Sequence, residues 1–188
     1  HKITELLAQK FAAARVGDGL AATMDSGPLI NQHTCAKVSQ LVEDAVAAGA
    51  NIALENRSFE RDPRLARGSF FPPTILTDVQ DTMRIAREEV FGPVLPILSY
   101  TDTGEAVKRA NDTPYGLAAY VYGNNLSLCR AVASSLEVGI VGVNEWRPLK
   151  AQIPFGGVKQ SGIGAEGGEE GLREFLEPQV ISLPKPSL

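Results

Sequence analysis

Residues 117–144 read LAAYVYGNNLSLCRAVASSLEVGIVGVN, and this stretch decides the fold class. Two apolar runs, Leu117–Tyr122 and Gly139–Asn144, flank a segment, Leu126–Leu136, whose apolar residues recur at helical spacing. Strands that are apolar throughout, rather than in alternate positions, are typical of a parallel sheet covered on both faces. The stretch therefore predicts a strand–helix–strand unit of an α/β domain.

The same alternation extends outward from this unit. Helices are predicted at residues 2–15, around Val38–Val46, at Thr82–Glu88, Asp102–Asn111 and Glu169–Leu176. Further strands are predicted at Ile52–Leu54, Phe70–Thr77, Val94–Tyr100 and Gln179–Leu183. Pro72 and Pro73 confine one of these to a sheet edge or to the start of a strand. We expect an α/β domain with a mainly parallel sheet and flanking helices over residues 1–176, followed by a C-terminal strand and tail at 177–188.

Composition and charge exclude several functional classes. The chain has 188 residues, 44% of them hydrophobic, which is enough to bury a core without disulfides or metals. Its net charge of -4 argues against nucleic acid or an anionic membrane as the main partner. No run approaches the roughly 18 apolar residues of a membrane span, and no secretory signal is visible, so we expect a cytoplasmic or organelle-matrix location.

The start of the chain is unusual, because it opens on His1 without an initiator Met and helical periodicity begins at once. We therefore expect the sequence to be part of a longer protein.

Cysteine and histidine offer no predicted metal site or nucleophile. Cys35 and Cys129 are far apart and form no CxxC pattern, which argues against a disulfide framework and a cysteine zinc site. Cys129 has apolar helical neighbours and is predicted to be a small core residue. Cys35 and His33 are two positions apart on a helix and so do not face each other.

The segment Gly162-Ile163-Gly164-Ala165-Glu166-Gly167 matches the GxGxxG dinucleotide fingerprint. That fingerprint requires a preceding strand and an acidic residue about 20 positions later, after a second strand. Here the preceding residues, Pro154–Ser161, are typical of a loop, and only 21 residues follow. We expect these glycines to form turns rather than to bind phosphate.

Two other segments are candidates for chemistry. Glu88-Glu89-Val90-Phe91-Gly92-Pro93 places two carboxylates and a ring between a helix and a strand. The segment is either a solvated helix end or part of the sheet edge where ligands bind in α/β proteins. In the second case, a carboxylate would accept hydrogen bonds from ribose hydroxyls and the ring would pack on a flat heterocycle. Pro154–Gly162 is dense in glycine, which allows the backbone to approach a ligand closely.

Together, Glu88–Pro93 and Pro154–Gly164 resemble the aldehyde dehydrogenase superfamily. The resemblance runs from about residue 3 to about residue 183 and includes four further stretches: Gly27–Ile30, Phe71–Leu76, Ala110–Leu117 and Leu136–Asn144. It implies an oxidoreductase that attacks an aldehyde with a cysteine thiolate, passes hydride to NAD or NADP and hydrolyses the thioester. The nucleophilic Cys, general-base Glu, oxyanion-hole Asn and dinucleotide domain would all lie upstream, in a missing N-terminal part. The resemblance thus assigns no catalytic residue to this chain and implies that it is inactive alone.

The resemblance also implies supporting roles for particular residues. Glu89 would hold the ribose of the nicotinamide half of the cofactor, and Phe91 would flank the nicotinamide. Phe155 would form part of the aldehyde pocket. Gln179–Leu183 resembles the strand that the family uses for oligomerisation, so a homo-oligomer is expected.

Within the superfamily, Val143-Asn144-Glu145 together with Pro154–Gly164 is most similar to the succinate-semialdehyde dehydrogenases. The chain departs from them by having Arg147-Pro148-Leu149-Lys150 in place of a serine-containing loop, and Ala165 where Arg is common. Arg147 or Lys150 would pair with a substrate carboxylate, or both are exposed charges around a different aldehyde. A different class of function is a stand-alone, non-catalytic dimerisation or binding module derived from such an enzyme.

Overall fold

The computed structural model describes residues 2–184, and its contacts divide the chain into two compact units between Ser99 and Tyr100. The first unit contains α1 (Lys2–Ala13), α2 (Gln32–Ala47), β1 (Asn51–Glu55), β2 (Thr74–Thr77), α3 (Arg84–Arg87) and β3 (Val94–Pro96), with 3-10 turns at Ser58–Arg61 and Pro63–Leu65. The second contains α4 (Thr103–Asn111), β4 (Tyr115–Gly116), β5 (Ala118–Val121), α5 (Leu126–Ser135), β6 (Ile140–Val143), β7 (Val158–Lys159) and α6 (Gly168–Arg173). The alternation of helices and strands confirms the predicted α/β class.

The first unit contains a three-stranded sheet in the order β1-β2-β3. β2 pairs in parallel with β3 and antiparallel with β1, so the sheet is mixed. Because β2 is the central strand, Pro72 and Pro73 mark its start and not a sheet edge. Their missing N–H groups therefore cost the ladder no hydrogen bond.

The core of the first unit lies beneath α2. Asn31 caps this helix by accepting a hydrogen bond from the Thr34 N–H at 2.8 Å, and Gly49, with a φ of 105°, follows its end. The residues buried against each other are Val38, Leu41, Val42, Ala45, Ala50, Phe71, Leu76, Val79, Met83 and Ile85. This packing fixes α2 on the sheet and with it the position of Lys37, the neighbour of Val38 in the helix.

The second unit contains the predicted strand–helix–strand arrangement. β5 and β6 pair in parallel from Ala118↔Ile140 to Val121↔Val143, and α5 packs on both strands. β4 and β7 form a separate antiparallel pair that the sequence did not predict, with Tyr115 opposite Lys159. The predicted parallel sheet is thus present as short pieces, accompanied by antiparallel pairs.

The C-terminal segment forms no strand within residues 2–184. Gln179–Leu183 lacks regular secondary structure here, and Val180, Ile181 and Leu183 are exposed. A strand exists only when it is hydrogen-bonded to a neighbour, and the described part of this chain pairs none with it. Pairing of this segment with another copy of the chain stays a prediction.

Residues 2–184 contain neither a membrane-spanning helix nor a cluster of metal-ligating side chains. No helix in this range is long and apolar enough to cross a membrane. The same residues contain no group of three or more His, Cys, Asp or Glu side chains placed to hold a metal ion.

Candidate functional site

The turn Glu88–Pro93 joins α3 to β3 and has an unusual backbone. Phe91 lies in the left-handed region, with a φ of 53°, and its side chain is 68% exposed. A bulky residue rarely adopts this conformation, and such residues cluster at functional sites. The turn therefore presents an aromatic ring to the surface at a cost in backbone energy.

Helix α2 holds this turn in place. Nζ of Lys37 donates to the Glu89 carbonyl oxygen at 2.7 Å and lies 6.0 Å from the centroid of the Phe91 ring. A Cβ at Gly92 would lie 3.0 Å from Cγ2 of Val38, so the turn packs closely against the helix. Lys37 could not be predicted from the sequence, because no local signal pairs two residues that are 52 positions apart.

The two adjacent carboxylates, Glu88 and Glu89, differ in their hydrogen-bond partners. Arg84 donates to Glu88 at 2.7 Å, and this hydrogen bond lowers the pKa of the Glu88 carboxyl. The Glu89 carboxylate is exposed and makes no hydrogen bond or ion pair with any residue of the described chain. Glu88 is thus a solvated helix end, whereas Glu89 is the available acceptor.

In the second unit, a shallow cavity of about 320 Å³ brings together two of the predicted substrate residues. Its lining consists of Leu149, Lys150, Ala151, Ile153, Phe155, Glu166 and Gly167. The backbones of Phe155 and Glu166 exchange two hydrogen bonds, of 2.7 and 2.8 Å. The cavity therefore combines an aromatic ring with one cationic and one anionic side chain.

Arg147 does not line this cavity. Its guanidinium carbon lies 4.0 Å from the centroid of the Trp146 ring, which is a stacked cation–π contact. Its backbone N–H donates to the Glu145 carboxylate at 2.8 Å. Of the two predicted cations, only Lys150 shares the cavity with Phe155.

The GxGxxG segment forms turns, as predicted. Gly162, Gly164 and Gly167 have φ values of 155°, 81° and 69°, a backbone region that side chains rarely adopt. The element before them, β7, has two residues, and the helix that follows, α6, has six. The glycines thus serve chain reversals in this loop.

Asn144 has a structural role in the second unit. Its side-chain amide exchanges two hydrogen bonds of 2.9 Å with the backbone of Gly123. Its own backbone N–H donates to the Val121 carbonyl, also at 2.9 Å. Asn144 thereby ties the end of β6 to the end of β5.

The two cysteines lie in different surroundings. Cys129 is 4% exposed on α5, which confirms its predicted place in the core. Burial raises the pKa of the Cys35 thiol, the opposite of the shift that a reactive cysteine requires. Cys35 lines a cavity of about 750 Å³ beside α2, which the sequence did not predict.

Comparison with known proteins gives consistent matches over nearly the whole chain. The Aldehyde dehydrogenase family profile matches residues 1–181. The chain is 44% identical over 180 residues to a probable succinate-semialdehyde dehydrogenase [NADP(+)] of Sinorhizobium fredii, covering 96% of this chain and 36% of that protein. It is also 44% identical over 180 residues to a non-phosphorylating aspartate-semialdehyde dehydrogenase of Halomonas elongata, covering 95% and 35%.

A solved structure gives a match of similar extent. The crystal structure of betaine aldehyde dehydrogenase from Staphylococcus aureus with NAD+ matches with a TM-score of 0.85 at 36% identity. The match covers 96% of this chain and 37% of that one. The chain thus spans a little over one third of the proteins that it resembles.

Proposed function

This chain belongs to the aldehyde dehydrogenase family, and we propose from that membership that it is the C-terminal part of an NAD(P)-dependent oxidoreductase. The complete enzyme would oxidise an aldehyde that carries a carboxylate, a semialdehyde, to the acid. The nucleophilic cysteine and the general base would belong to the upstream part, so the 188 residues alone would be inactive. The free Glu89 carboxylate beside the left-handed Phe91 carries this proposal.

The Glu88–Pro93 turn fits one half of a nicotinamide cofactor. Its exposed Glu89 carboxylate is an acceptor without a partner in residues 2–184, which suits a ribose diol. The exposed ring of Phe91 suits a flat heterocycle. Glu89 and Phe91 would hold the nicotinamide half of NAD(P)+, which would supply the hydride acceptor of the reaction.

The cavity in the second unit supports a carboxylate-bearing substrate. Lys150 supplies a positive charge next to the Phe155 ring, and a lysine ammonium pairs well with a carboxylate. Both curated relatives described above are named as semialdehyde dehydrogenases, one for succinate and one for aspartate semialdehyde. Glu166 lines the same cavity and would favour a cationic aldehyde. Substitution of Lys150 and of Glu166 in turn therefore tests the charge of the substrate.

The exposed C-terminal segment supports a homo-oligomer. Phe175, Val180 and Leu183 are each more than four-fifths exposed, which costs free energy in water. Pairing of Gln179–Leu183 with a second copy would complete a strand and cover Val180 and Leu183.

The proposal is tested on the complete enzyme, expressed from the reading frame extended upstream of His1. We expect reduction of NAD(P)+ with succinate semialdehyde, and none from the 188-residue chain. Glu89→Gln should slow single-turnover hydride transfer more than it weakens cofactor binding, while Glu88→Gln is the matched control. Equal rates for Glu89→Gln and the unmodified enzyme would remove Glu89 from the site, and a complete enzyme without aldehyde oxidation would refute the function.

A further inference from the structure

Lys159 makes an unusually complete set of contacts within the second unit. Its Nζ donates to the carbonyl oxygens of Asn111 at 2.8 Å and Thr113 at 3.2 Å. It also lies 2.7 Å from the carboxylate of Glu137. Two of its three donors are thus used in hydrogen bonds, and its charge is paired with Glu137. The side chain is only 25% exposed, and its backbone is left-handed, with a φ of 55°.

The partners of Lys159 lie where two helices end. Asn111 is the last residue of α4, and its side chain donates to the carbonyl of Ser135, the last residue of α5, at 2.8 Å. Its Oδ1 accepts the Glu137 N–H at 2.9 Å. Helix C-termini carry partial negative charge, so a cation is stabilised there. Lys159 thus closes a junction between α4, α5 and β7.

This junction fixes the loop that follows Phe155. The Gln160 N–H donates to the Pro114 carbonyl at 2.8 Å, beside the β4–β7 pair. On the other side, the Gly156 carbonyl touches Gly139, where a Cβ would lie 1.7 Å from the oxygen. The backbone is therefore held at both ends of a short span directly after Phe155.

We propose that Lys159 is a positioning residue for Phe155. It fastens the glycine-rich loop to the ends of α4 and α5, and thereby sets where the Phe155 ring stands in the cavity that it shares with Lys150. The role of that cavity in aldehyde binding rests on the proposed function. The fastening itself is a property of the second unit and can be measured without activity.

The first test is hydrogen exchange, measured by mass spectrometry, on the complete enzyme. Lys159→Met keeps an unbranched apolar side chain and removes the contacts that Nζ makes, so the amides of Phe155 and Gln160 should exchange about tenfold faster through local opening. Lys108→Met, at an exposed lysine on α4, is the matched control and should change neither amide. Unchanged exchange in Lys159→Met would overturn the proposal.

A milder variant keeps the test decisive if Lys159→Met does not fold. Glu137→Gln removes only the ion pair, at a carboxylate that is 59% exposed. It should accelerate the same two amides by a smaller factor. Acceleration spread evenly over the whole chain would show general destabilisation and would also overturn a local positioning role.

The second test measures the kinetics of the complete enzyme. Lys159→Met should raise the KM for the aldehyde about tenfold and leave the KM for NAD(P)+ within about twofold, because only the Phe155 loop moves. Lys159→Arg, which retains the cation, should recover part of the loss. Faster exchange with an unchanged aldehyde KM would overturn the positioning role. A complete unmodified enzyme that oxidises no aldehyde would instead refute the proposed function, and exchange alone would then decide whether Lys159 holds the loop.

Discussion

The ammonium of Lys37 lies 2.7 Å from the carbonyl oxygen of Glu89, and the same ammonium lies 6.0 Å from the centroid of the Phe91 ring. One side chain of α2 therefore contacts both residues that are proposed to meet the cofactor. The carbonyl contact occupies the backbone of Glu89 and leaves its carboxylate free. The ring contact favours the exposed position of Phe91 in its left-handed turn.

Removal of this contact should loosen the turn. We expect Lys37→Met to accelerate amide exchange at residues 89–92 and to weaken NAD(P)+ binding to the complete enzyme about fivefold. The physical reason is the loss of a charge-assisted hydrogen bond, discounted to about 1 kcal/mol for partial exposure. Isothermal titration measures the affinity, and Lys10→Met, at an exposed lysine on α1, is the control. Equal affinities for Lys37→Met and the unmodified enzyme would mean that the turn keeps its conformation without the lysine.

Gly92 should resist substitution for steric reasons. A Cβ there would lie 3.0 and 3.2 Å from the two methyl carbons of Val38, which is fully buried. Gly92→Ala should lower the free energy of unfolding by about 1–2 kcal/mol, as expected for overpacking of a core. Urea denaturation of the 188-residue chain measures this change. Gly19→Ala, whose Cβ would lie 4.0 Å from its nearest neighbour, is the control and should change stability little.

A double substitution tests the cause. Val38→Ala opens space beside Gly92. The loss of unfolding free energy in the double variant should therefore be smaller than the sum of the losses in the two single variants. Strict additivity would show that the two sites are independent, and it would place the effect of Gly92→Ala elsewhere in the turn.

Much of the fold was predictable, because its signals are local. Apolar periodicity predicted α4 and α5 to within one residue at each end. The same signal predicted α2 only around Val38–Val46, whereas the helix begins at Gln32, after the capping residue Asn31. The parallel pairing of β5 with β6 follows from two apolar runs that flank a helix. These features require information only from residues near in sequence.

The remaining features depend on contacts between distant residues. The antiparallel β4–β7 pair places Tyr115 opposite Lys159, and only the completed loop brings them together. Glu88 and Glu89 are equivalent in sequence, and they differ because α3 presents Arg84 to one of them. In the same way, Arg147 lies against the Trp146 ring, whereas Lys150 lines the cavity with Phe155.

The Arg84–Glu88 contact should be visible in an acid titration. The hydrogen bond from Arg84 lowers the pKa of Glu88, so this carboxyl should titrate below the ordinary glutamate value of about 4.3. The contribution of the pair to stability is therefore complete above the ordinary pKa and is lost as the pH falls through the lower, folded value. Carbon NMR of the side-chain carboxyl follows this titration directly.

Substitution of the arginine should reverse the shift. Arg84→Gln is expected to move the pKa of Glu88 back towards the ordinary value, since the hydrogen bond from Arg84 is its main cause. Arg61→Gln, at an arginine in a 3-10 turn, should leave the titration of Glu88 as it is. A low pKa that persists in Arg84→Gln would require another source of the shift.

The cavity lining predicts which of the two cations acts on a substrate carboxylate. Lys150 lines the cavity with Phe155, whereas Arg147 is stacked on Trp146, so Lys150→Met should reduce kcat/KM for succinate semialdehyde about tenfold in the complete enzyme. Butanal, which has the same carbon chain without the carboxylate, should lose little, and this difference separates charge pairing from general damage. Arg147→Met should have the smaller effect on both aldehydes.

Glu166→Gln removes the anion from the same lining and should raise the preference for the carboxylate. If betaine aldehyde is instead the better substrate and Glu166→Gln abolishes that preference, the cavity selects a cation, because Glu166 and not Lys150 then sets its charge.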